Sequence, residues 1–239
     1  MNAANPTPTL RRNLAAKFDT ACVLFDLDGT LVDTAPDLGY AANQVRIEVG
    51  LDPLPLEDYR TSASGGARGL LKVALDIDPD SHGYGALKDR FLVHYRDHLA
   101  HDSRLFPGVP ELLRSLDNAS IRWGIVTNKV SALTLPLVSA LKLHERSACI
   151  VSGDSTPNPK PAPDPLLLAC KQIGIAACSC LYIGDDERDI VAGRAASMAT
   201  IAAEWGYLGV NADVNSWGAD AIIASPAEIV ELIKLRRAA

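Results

Sequence analysis

The sequence of 239 residues has no excess of positive charge, no long apolar run and few cysteines. Its net charge of −6 excludes the broad basic surface that nucleic acids or anionic membranes require of a partner. No stretch approaches the roughly 20 apolar residues that cross a bilayer, and residues 1–20 lack the apolar run of a secretory signal. We therefore expect a cytoplasmic monomer or homodimer with no nucleic-acid or membrane partner, and a flexible extension over residues 1–20.

The five cysteines indicate neither a disulfide framework nor a zinc site. Their number is odd, and the one close pair, Cys178 and Cys180, lacks the C-x-x-C spacing and a second pair. Reduced thiols are expected. Hydrophobic residues make up 48% and charged residues 22% of the chain, which is typical of a soluble protein with a packed core.

Short apolar runs that end abruptly in polar residues recur along the chain. This pattern is typical of buried parallel strands, and the runs are Cys22–Phe25, Trp123–Val126, Ala148–Val151, Cys180–Ile183, Ala199–Ala203 and Ala221–Ala224. Segments with helical spacing lie between them, at Val109–Leu116, Ser131–Leu141, Pro163–Ile173, Arg188–Ala196 and Ala227–Leu235. The alternation predicts an α/β fold with a Rossmann-like open parallel sheet, in which ligands bind at the carboxyl ends of the strands.

The alternation stops between about residues 36 and 104, where helical patterns occur without a convincing strand. Ala35-Pro36 and Phe106-Pro107-Gly108 mark the two ends of this segment, because proline and glycine disfavour continuing an element. We predict an inserted helical domain at 36–104, called the cap below. The catalytic core is then formed by residues 1–35 and 105–239.

The first strand is followed by Asp26-Leu27-Asp28-Gly29-Thr30. Two carboxylates this close repel each other unless a cation or hydrogen bonds offset their charge. Hard oxygen ligands of this type suit Mg²⁺, which also offsets the charge of a phosphate. The segment is therefore a candidate for metal-assisted phosphate chemistry.

The D-x-D-G-T segment resembles the first motif of the haloacid dehalogenase-like hydrolase superfamily. Thr127, Lys160 in Asn158-Pro159-Lys160-Pro161, and Gly184-Asp185-Asp186-Glu187-Arg188-Asp189 are similar to its second, third and fourth motifs, in the same order. The resemblance spans roughly residues 21–205. It implies a magnesium-dependent enzyme, and the aspartate at position 28 distinguishes phosphate-ester hydrolases from members that attack carbon.

The resemblance also implies a role for each motif residue. Asp26 would be the nucleophile that forms an aspartyl-phosphate, and Asp28 the general acid and base. Thr127 and Lys160 would bind the phosphoryl group and offset its charge. Magnesium would be held by the side chains of Asp26 and Asp185 and by the backbone carbonyl of Asp28, with Asp189 as a supporting ligand.

In the cap, Ser64-Gly65-Gly66-Ala67-Arg68-Gly69 resembles the loop that enters the active site of relatives acting on small phosphorylated metabolites. Arg68 and Gly66 are predicted substrate ligands there, because a guanidinium suits carboxylate and phosphate. The predicted ligands from the core are Thr127, Asn128 and Lys160.

The substrate is less well specified than the chemistry. The first motif and Phe106-Pro107-Gly108-Val109 resemble phosphoglycolate phosphatases, so 2-phosphoglycolate is the leading expectation. Ser64 to Leu71, Trp123 to Lys129 and Leu166 to Cys170 are also similar to phosphatases of N-acetylmuramic acid 6-phosphate. Other sugar phosphates, a phosphomutase of the β-phosphoglucomutase type and a catalytically silent phosphate-binding module are the alternatives.

Overall fold

A computed structural model describes residues 18–233 of the chain. Its central element is a sheet of six strands, β1 (Cys22–Phe25), β4 (Arg122–Val126), β5 (Ile150–Val151), β6 (Cys180–Gly184), β7 (Ala199–Ala203) and β8 (Ala221–Ile223). All neighbouring strands are parallel, and their order is β5-β4-β1-β6-β7-β8. This arrangement confirms the predicted Rossmann-like α/β sheet. The predicted extension lies outside the described residues, apart from 18–20.

Helices follow the strands of this sheet in alternation. They are α5 (Val109–Asn118), α6 (Ser131–Ala140), α7 (Asp164–Ile173), α8 (Glu187–Ala195) and α9 (Ala227–Leu232). The first four agree with predicted helices to within about two residues; α9 begins as predicted, and its predicted end, Leu235, lies outside the described residues. Helix α8 begins at a capping box, because the Asp186 and Asp189 side chains each accept a hydrogen bond from the other's backbone N–H.

The cap contains four helices, α1 (Ala35–Glu48), α2 (Glu57–Arg60), α3 (Gly66–Leu75) and α4 (Tyr84–Asp97). Helix α1 packs against the other three. Where the cap joins the core, the sequence did not predict a two-stranded antiparallel ribbon of β2 (Val32–Asp33) and β3 (Arg104–Leu105). Strands of two residues are too short to show an alternating pattern.

Apolar residues pack on both faces of the sheet. Alternate residues of β1 point to opposite faces, so Val23 and Phe25 join one buried cluster while Cys22 and Leu24 join another. The second cluster also contains Cys149, Cys170 and Cys180, which are free thiols as expected. No helix within residues 18–233 combines the length and apolar character needed to cross a membrane.

Candidate active site

The polar residues at the strand ends meet where the strand order reverses. Asp26 follows β1 in the middle of the sheet, Thr127 follows β4 on one side, and Asp185 follows β6 on the other. Such a reversal leaves a crevice in which α/β proteins bind ligands. We call the set of predicted core residues gathered here the catalytic floor; it comprises Asp26, Asp28, Thr127, Lys160, Asp185 and Asp189.

Lys160 joins two aspartates of the floor. Its ammonium lies 2.9 Å from Asp26 Oδ1 and 2.6 Å from Asp189 Oδ1. Burial alone lowers the pKa of this lysine, but Asp189 and Asp26 outweigh it and raise the pKa to about 12. Lys160 therefore stays charged and places a fixed cation beside Asp26, as the site of a phosphoryl group requires.

Two residues hold Lys160 in place, and one of them, Tyr182, was not predicted from the motifs. The Tyr182 hydroxyl, on β6, lies 2.8 Å from the ammonium and donates to the Val126 carbonyl at 2.9 Å. The Asn128 side chain donates to the Lys160 carbonyl and accepts from its backbone N–H, at 2.8 and 2.9 Å. Asn128 was predicted to bind substrate; although it lines the crevice, its amide is engaged in positioning Lys160.

Asp185 is buried and held from two directions. Thr30 Oγ1 donates to its Oδ1 at 2.8 Å, and the Tyr207 backbone N–H donates to its Oδ2 at 2.8 Å. Gly29 adopts a φ of +86°, and a Cβ there would lie 2.1 Å from Asp185 Oδ2. The glycine after the aspartate pair is therefore required both by the turn and by the approach of this carboxylate.

Three carboxylates of the floor could hold a metal ion. Ligand atoms of Asp26, Asp185 and Asp189 all lie within 4.8 Å of one another. Asp26 Oδ1 accepts no hydrogen bond of acceptable geometry, despite the nearby Lys160 ammonium. Burial raises the pKa of Asp26 to about 7, with Lys160 opposing the change, and burial also raises the pKa of Asp185 well above its usual range. A hard divalent cation would offset the repulsion among these buried carboxylates, so the donor set fits Mg²⁺.

Asp28 has different partners from Asp26. Thr34 Oγ1 donates to its Oδ1 at 2.6 Å, and Lys129 Nζ lies 2.9 and 3.1 Å from its two oxygens. Lys129 was not predicted as a site residue, although it stands two positions after Thr127. Burial lowers the pKa of Lys129, but Asp28 outweighs this effect and raises it. The two aspartates of the first motif thus face separate lysines, which suits separate chemical roles.

A cavity of about 350 Å³ lies between the catalytic floor and the cap. Its floor carries Asp26, Asp28, Thr127 and Lys160, whereas the cap contributes mainly small and apolar residues from α1, α3, α4 and the turn before α3. This volume is at the lower end of the range for small-molecule sites. The cavity can therefore admit a small metabolite to Asp26.

Gly66 lines this cavity as predicted, but Arg68 does not. Arg68 is exposed, whereas its neighbour Ala67 is among the lining residues. Successive residues on a helix point about 100° apart, so Arg68 faces away when Ala67 faces inward. The structure does not bring Arg68 to the site, and the prediction that it recognises substrate gains no support.

Arg188 connects the core to the cap loop. Its guanidinium pairs with Asp186 at 2.7 Å and donates to the Ser64 carbonyl at 2.9 Å. Asp186 is therefore occupied by the capping box and by this arginine. The pair holds the turn before α3 against the rim of the cavity.

Comparisons with known proteins agree with this geometry. A family model described as haloacid dehalogenase-like hydrolase matches residues 23–203. An N-acetylmuramic acid 6-phosphate phosphatase of Pseudomonas putida is 41% identical, covering 88% of this chain and 95% of that protein. A phosphoglycolate phosphatase of Xanthomonas campestris pv. campestris is 43% identical, covering 87% and 94%.

Solved structures give the same assignment. The crystal structure of a predicted phosphoglycolate phosphatase from Haemophilus somnus superposes with a TM-score of 0.79 at 28% identity, covering 90% of this chain and 98% of that one. The family model spans most of the chain and includes all six residues of the catalytic floor. The chain belongs to the haloacid dehalogenase-like hydrolase family.

Proposed function

We propose that this protein hydrolyses a small phosphomonoester by transferring the phosphoryl group to Asp26 and then to water. The observation that carries the proposal is the placement of Asp26, which follows β1 and lines a cavity, with the buried ammonium of Lys160 at 2.9 Å. The phosphatase names of relatives at 41% and 43% identity support it.

In the first step, an Asp26 carboxylate oxygen attacks phosphorus and forms an acyl phosphate. The bond between phosphorus and the ester oxygen breaks, and Asp28 gives a proton to that oxygen so that the alcohol leaves neutral. Lys160 lies within contact of Asp26 and offsets the charge of the phosphoryl oxygens. Thr127, which lines the same cavity, would donate a hydrogen bond to one of them.

In the second step, Asp28 takes a proton from water as the water oxygen attacks phosphorus. The bond between phosphorus and Asp26 breaks, which releases phosphate and restores the Asp26 carboxylate, while Asp28 regains the proton that it gave in the first step. Thr34 and Lys129 bond to the Asp28 carboxylate and fix its direction for both proton transfers. The separate surroundings of the two aspartates support this division of roles.

We propose Mg²⁺ as the cofactor. The side chains of Asp26 and Asp185 would hold the ion, with Asp189 as a supporting ligand. The backbone carbonyl of Asp28 would be a further ligand. Bound there, the ion would neutralise charge on the phosphate and on the nucleophile. Asp189 also bonds to Lys160 and Tyr182, so it links the metal site to the phosphate site.

We further propose that residues 36–104 act as a cap that closes over the substrate. The β2–β3 ribbon lies where this segment joins the rest of the described chain, and Asp33 on β2 pairs with Arg60 of α2 at 2.9 Å. The contact between Arg188 and the Ser64 carbonyl would hold the closed form. Closure would exclude bulk water during the first transfer.

The substrate class is tested by measuring phosphate release with magnesium and with EDTA. Candidate substrates are 2-phosphoglycolate, N-acetylmuramic acid 6-phosphate, hexose 6-phosphates, β-glucose 1-phosphate and an aryl phosphate. Magnesium-dependent release from at least one ester is expected, and EDTA should abolish it. Conversion of β-glucose 1-phosphate to glucose 6-phosphate without release would instead indicate a phosphomutase, and no turnover of any ester would contradict the proposal.

A further inference from the structure

Helix α4 presents a single row of side chains to the cavity. Lys88, Phe91, Leu92 and Tyr95 all line it, and they are spaced i, i+3, i+4 and i+7. Residues with this spacing share one face of a helix. We call these four residues the α4 stripe; it has a cation at one end, apolar groups in the middle and a hydroxyl at the other end.

The Tyr95 end of the stripe is buried beside the catalytic floor. Tyr95 is only 1% exposed, and its hydroxyl makes no hydrogen bond of acceptable geometry within residues 18–233, although the Lys129 side chain interacts with it. The ammonium of Lys129, which pairs with Asp28, lies 4.7 Å from the centre of the Tyr95 ring. Burial raises the pKa of Tyr95 to about 12, so its hydroxyl keeps its proton. Buried hydroxyl groups nearly always have a partner, and Tyr95 is among the residues that line the cavity.

The Lys88 end of the stripe is exposed at the rim of the cavity. The other cations lining the cavity each pair with an aspartate: Lys129 with Asp28, Lys160 with Asp26 and Asp189, and Arg188 with Asp186. Lys88 makes no ion pair or side-chain hydrogen bond within the described part of the chain. It is therefore the cavity's cation that can meet an anion of the substrate without breaking an existing pair.

The length of the stripe bears on the size of the substrate. Seven residues of helix separate Lys88 from Tyr95, which is about 10 Å along the axis. Four bonds separate phosphorus from a carboxylate oxygen in 2-phosphoglycolate, a span of roughly 5 Å at ordinary bond lengths. Phe91 and Leu92 face the cavity between the two polar ends. A two-carbon acid has no group large enough to cover them.

We propose that the α4 stripe binds the organic part of the substrate, and that this substrate is a ring-sized phosphate ester with a carboxylate distant from the phosphate. The inference rests on the proposed phosphatase function and deepens it. The Tyr95 hydroxyl bonds a polar oxygen near the ester, Phe91 and Leu92 cover the ring, and Lys88 binds the carboxylate. N-acetylmuramic acid 6-phosphate, the substrate in the name of one relative, has these features.

The role of Lys88 is tested with two sugar phosphates that differ only in the lactyl ether group, which carries the carboxylate. These are N-acetylmuramic acid 6-phosphate and N-acetylglucosamine 6-phosphate, which lacks the lactyl group. Binding is measured by calorimetry with Asp26→Asn protein, so that hydrolysis does not enter. Adding Lys88→Met should lower the ratio of the two affinities about tenfold, as expected for loss of one charge-assisted hydrogen bond.

Arg96→Met is the matched control for this change. Arg96 is an exposed cation on the same helix but is not among the residues lining the cavity. It should leave the ratio of affinities within about twofold, because screening by salt weakens a charge outside the site. An equal drop in ratio for Lys88→Met and Arg96→Met would overturn the role of Lys88.

The role of Tyr95 is tested by Tyr95→Phe in the otherwise unchanged enzyme. Because the hydroxyl makes no hydrogen bond of acceptable geometry among the described residues, its removal should leave the melting temperature equal or higher. The kcat/KM for N-acetylmuramic acid 6-phosphate should fall about tenfold, as for a lost hydrogen bond. A lower melting temperature with unchanged kcat/KM would show a structural role and overturn the proposal for Tyr95.

The two proposals fail in different ways. If the enzyme hydrolyses an aryl phosphate but binds and cleaves 2-phosphoglycolate better than both sugars, the α4 stripe is not the recognition site and the phosphatase function stands. If no ester is hydrolysed but the Asp26→Asn protein binds the acidic sugar in a Lys88-dependent way, the stripe is a ligand site and the phosphatase function is wrong.

Discussion

The catalytic floor and the α4 stripe face each other across one cavity but are built on opposite principles. On the floor, Asp26, Asp28 and Asp185 each contact a cation or a hydrogen-bond donor of the protein. On the stripe, Lys88 has no such partner among the described residues, and the Tyr95 hydroxyl makes no hydrogen bond of acceptable geometry there. The floor is arranged before substrate arrives, as catalysis by oriented charges requires. The polar groups of the stripe are available to bind the substrate.

This difference predicts two kinds of variant. Changes on the floor should affect every phosphate ester to a similar degree, because all esters share the phosphoryl group. Changes on the stripe should depend on the organic part of the substrate. The comparison is weakened if a floor variant proves selective among substrates.

The largest effect is expected for Asp26→Asn. An amide is a poor nucleophile, so kcat should fall by at least about 10⁴-fold on every ester, as for loss of other covalent nucleophiles. The fold should survive: burial raises the pKa of Asp26 to about 7, so above that pH the folded protein carries an unfavourable ionised group that Asn lacks. The melting temperature at pH 8 in EDTA should therefore not fall. Activity within tenfold of the wild type would exclude Asp26 as nucleophile.

Asp28→Asn should have the next largest effect, lowering kcat about 10²- to 10⁴-fold, as expected for loss of a general acid and base. A nitrophenolate leaving group needs no proton, so only the second step should be slow with an aryl phosphate. Rapid mixing should then show a burst of nitrophenol equal to the enzyme concentration. Slow release without a burst would mean that Asp28 acts mainly before or during the first step.

Gly29→Ala should disturb the floor without removing a charge. A Cβ at Gly29 would lie 2.1 Å from Asp185 Oδ2, at a φ of +86°. Overpacking and the left-handed backbone together should lower the free energy of unfolding by about 3 kcal/mol and reduce activity. Gly50→Ala is the control, because Gly50 has a φ of +79° with nothing within 4 Å of its Cβ. Gly50→Ala should lower the free energy of unfolding, measured by chemical denaturation, by only about 1 kcal/mol. An equal loss for Gly29→Ala and Gly50→Ala would argue against a clash at Asp185.

The smallest effect is expected for Arg188→Met, which removes the contact between core and cap loop. The Arg188 side chain is 41% exposed, so its interactions are partly screened. KM should rise about threefold for cap-bound substrates, with a smaller change in kcat. KM and kcat would be measured by steady-state kinetics with a sugar phosphate and with an aryl phosphate. An unchanged KM for both substrates would mean that the contact does not hold the cap over the substrate.

The same two regions differ in how far the sequence predicts them. Apolar runs ending in Asp26, Thr127 and Asp185 predict parallel strands, and parallel strands deliver their carboxyl ends to one edge. The strand-end residues of the floor could thus be predicted from the sequence pattern, whereas Lys160 and Asp189 were predicted from the resemblance to the family. The bonds that hold Lys160 could not be predicted, because Tyr182 and Asn128 reach it from distant parts of the chain; Asn128 was predicted only as a substrate ligand.

The cap was less predictable because a helix can turn any of its faces to the cavity. Arg68 was predicted to bind substrate because of its guanidinium group, yet its neighbour Ala67 faces the cavity instead. The α4 stripe has ordinary helical spacing, which equally describes a face buried in the protein core. A lysine at one end of an otherwise apolar stripe was the available signal.

The central claim is that phosphate passes through Asp26. Enzyme in excess would be mixed with a reactive phosphate ester and magnesium, quenched in acid and reduced with borohydride, which converts an acyl phosphate of aspartate to homoserine. Mass spectrometry should find homoserine at position 26 in the wild-type protein, more in Asp28→Asn, and none in Asp26→Asn. Phosphate release without modification at position 26, or modification of another carboxylate, would contradict the account.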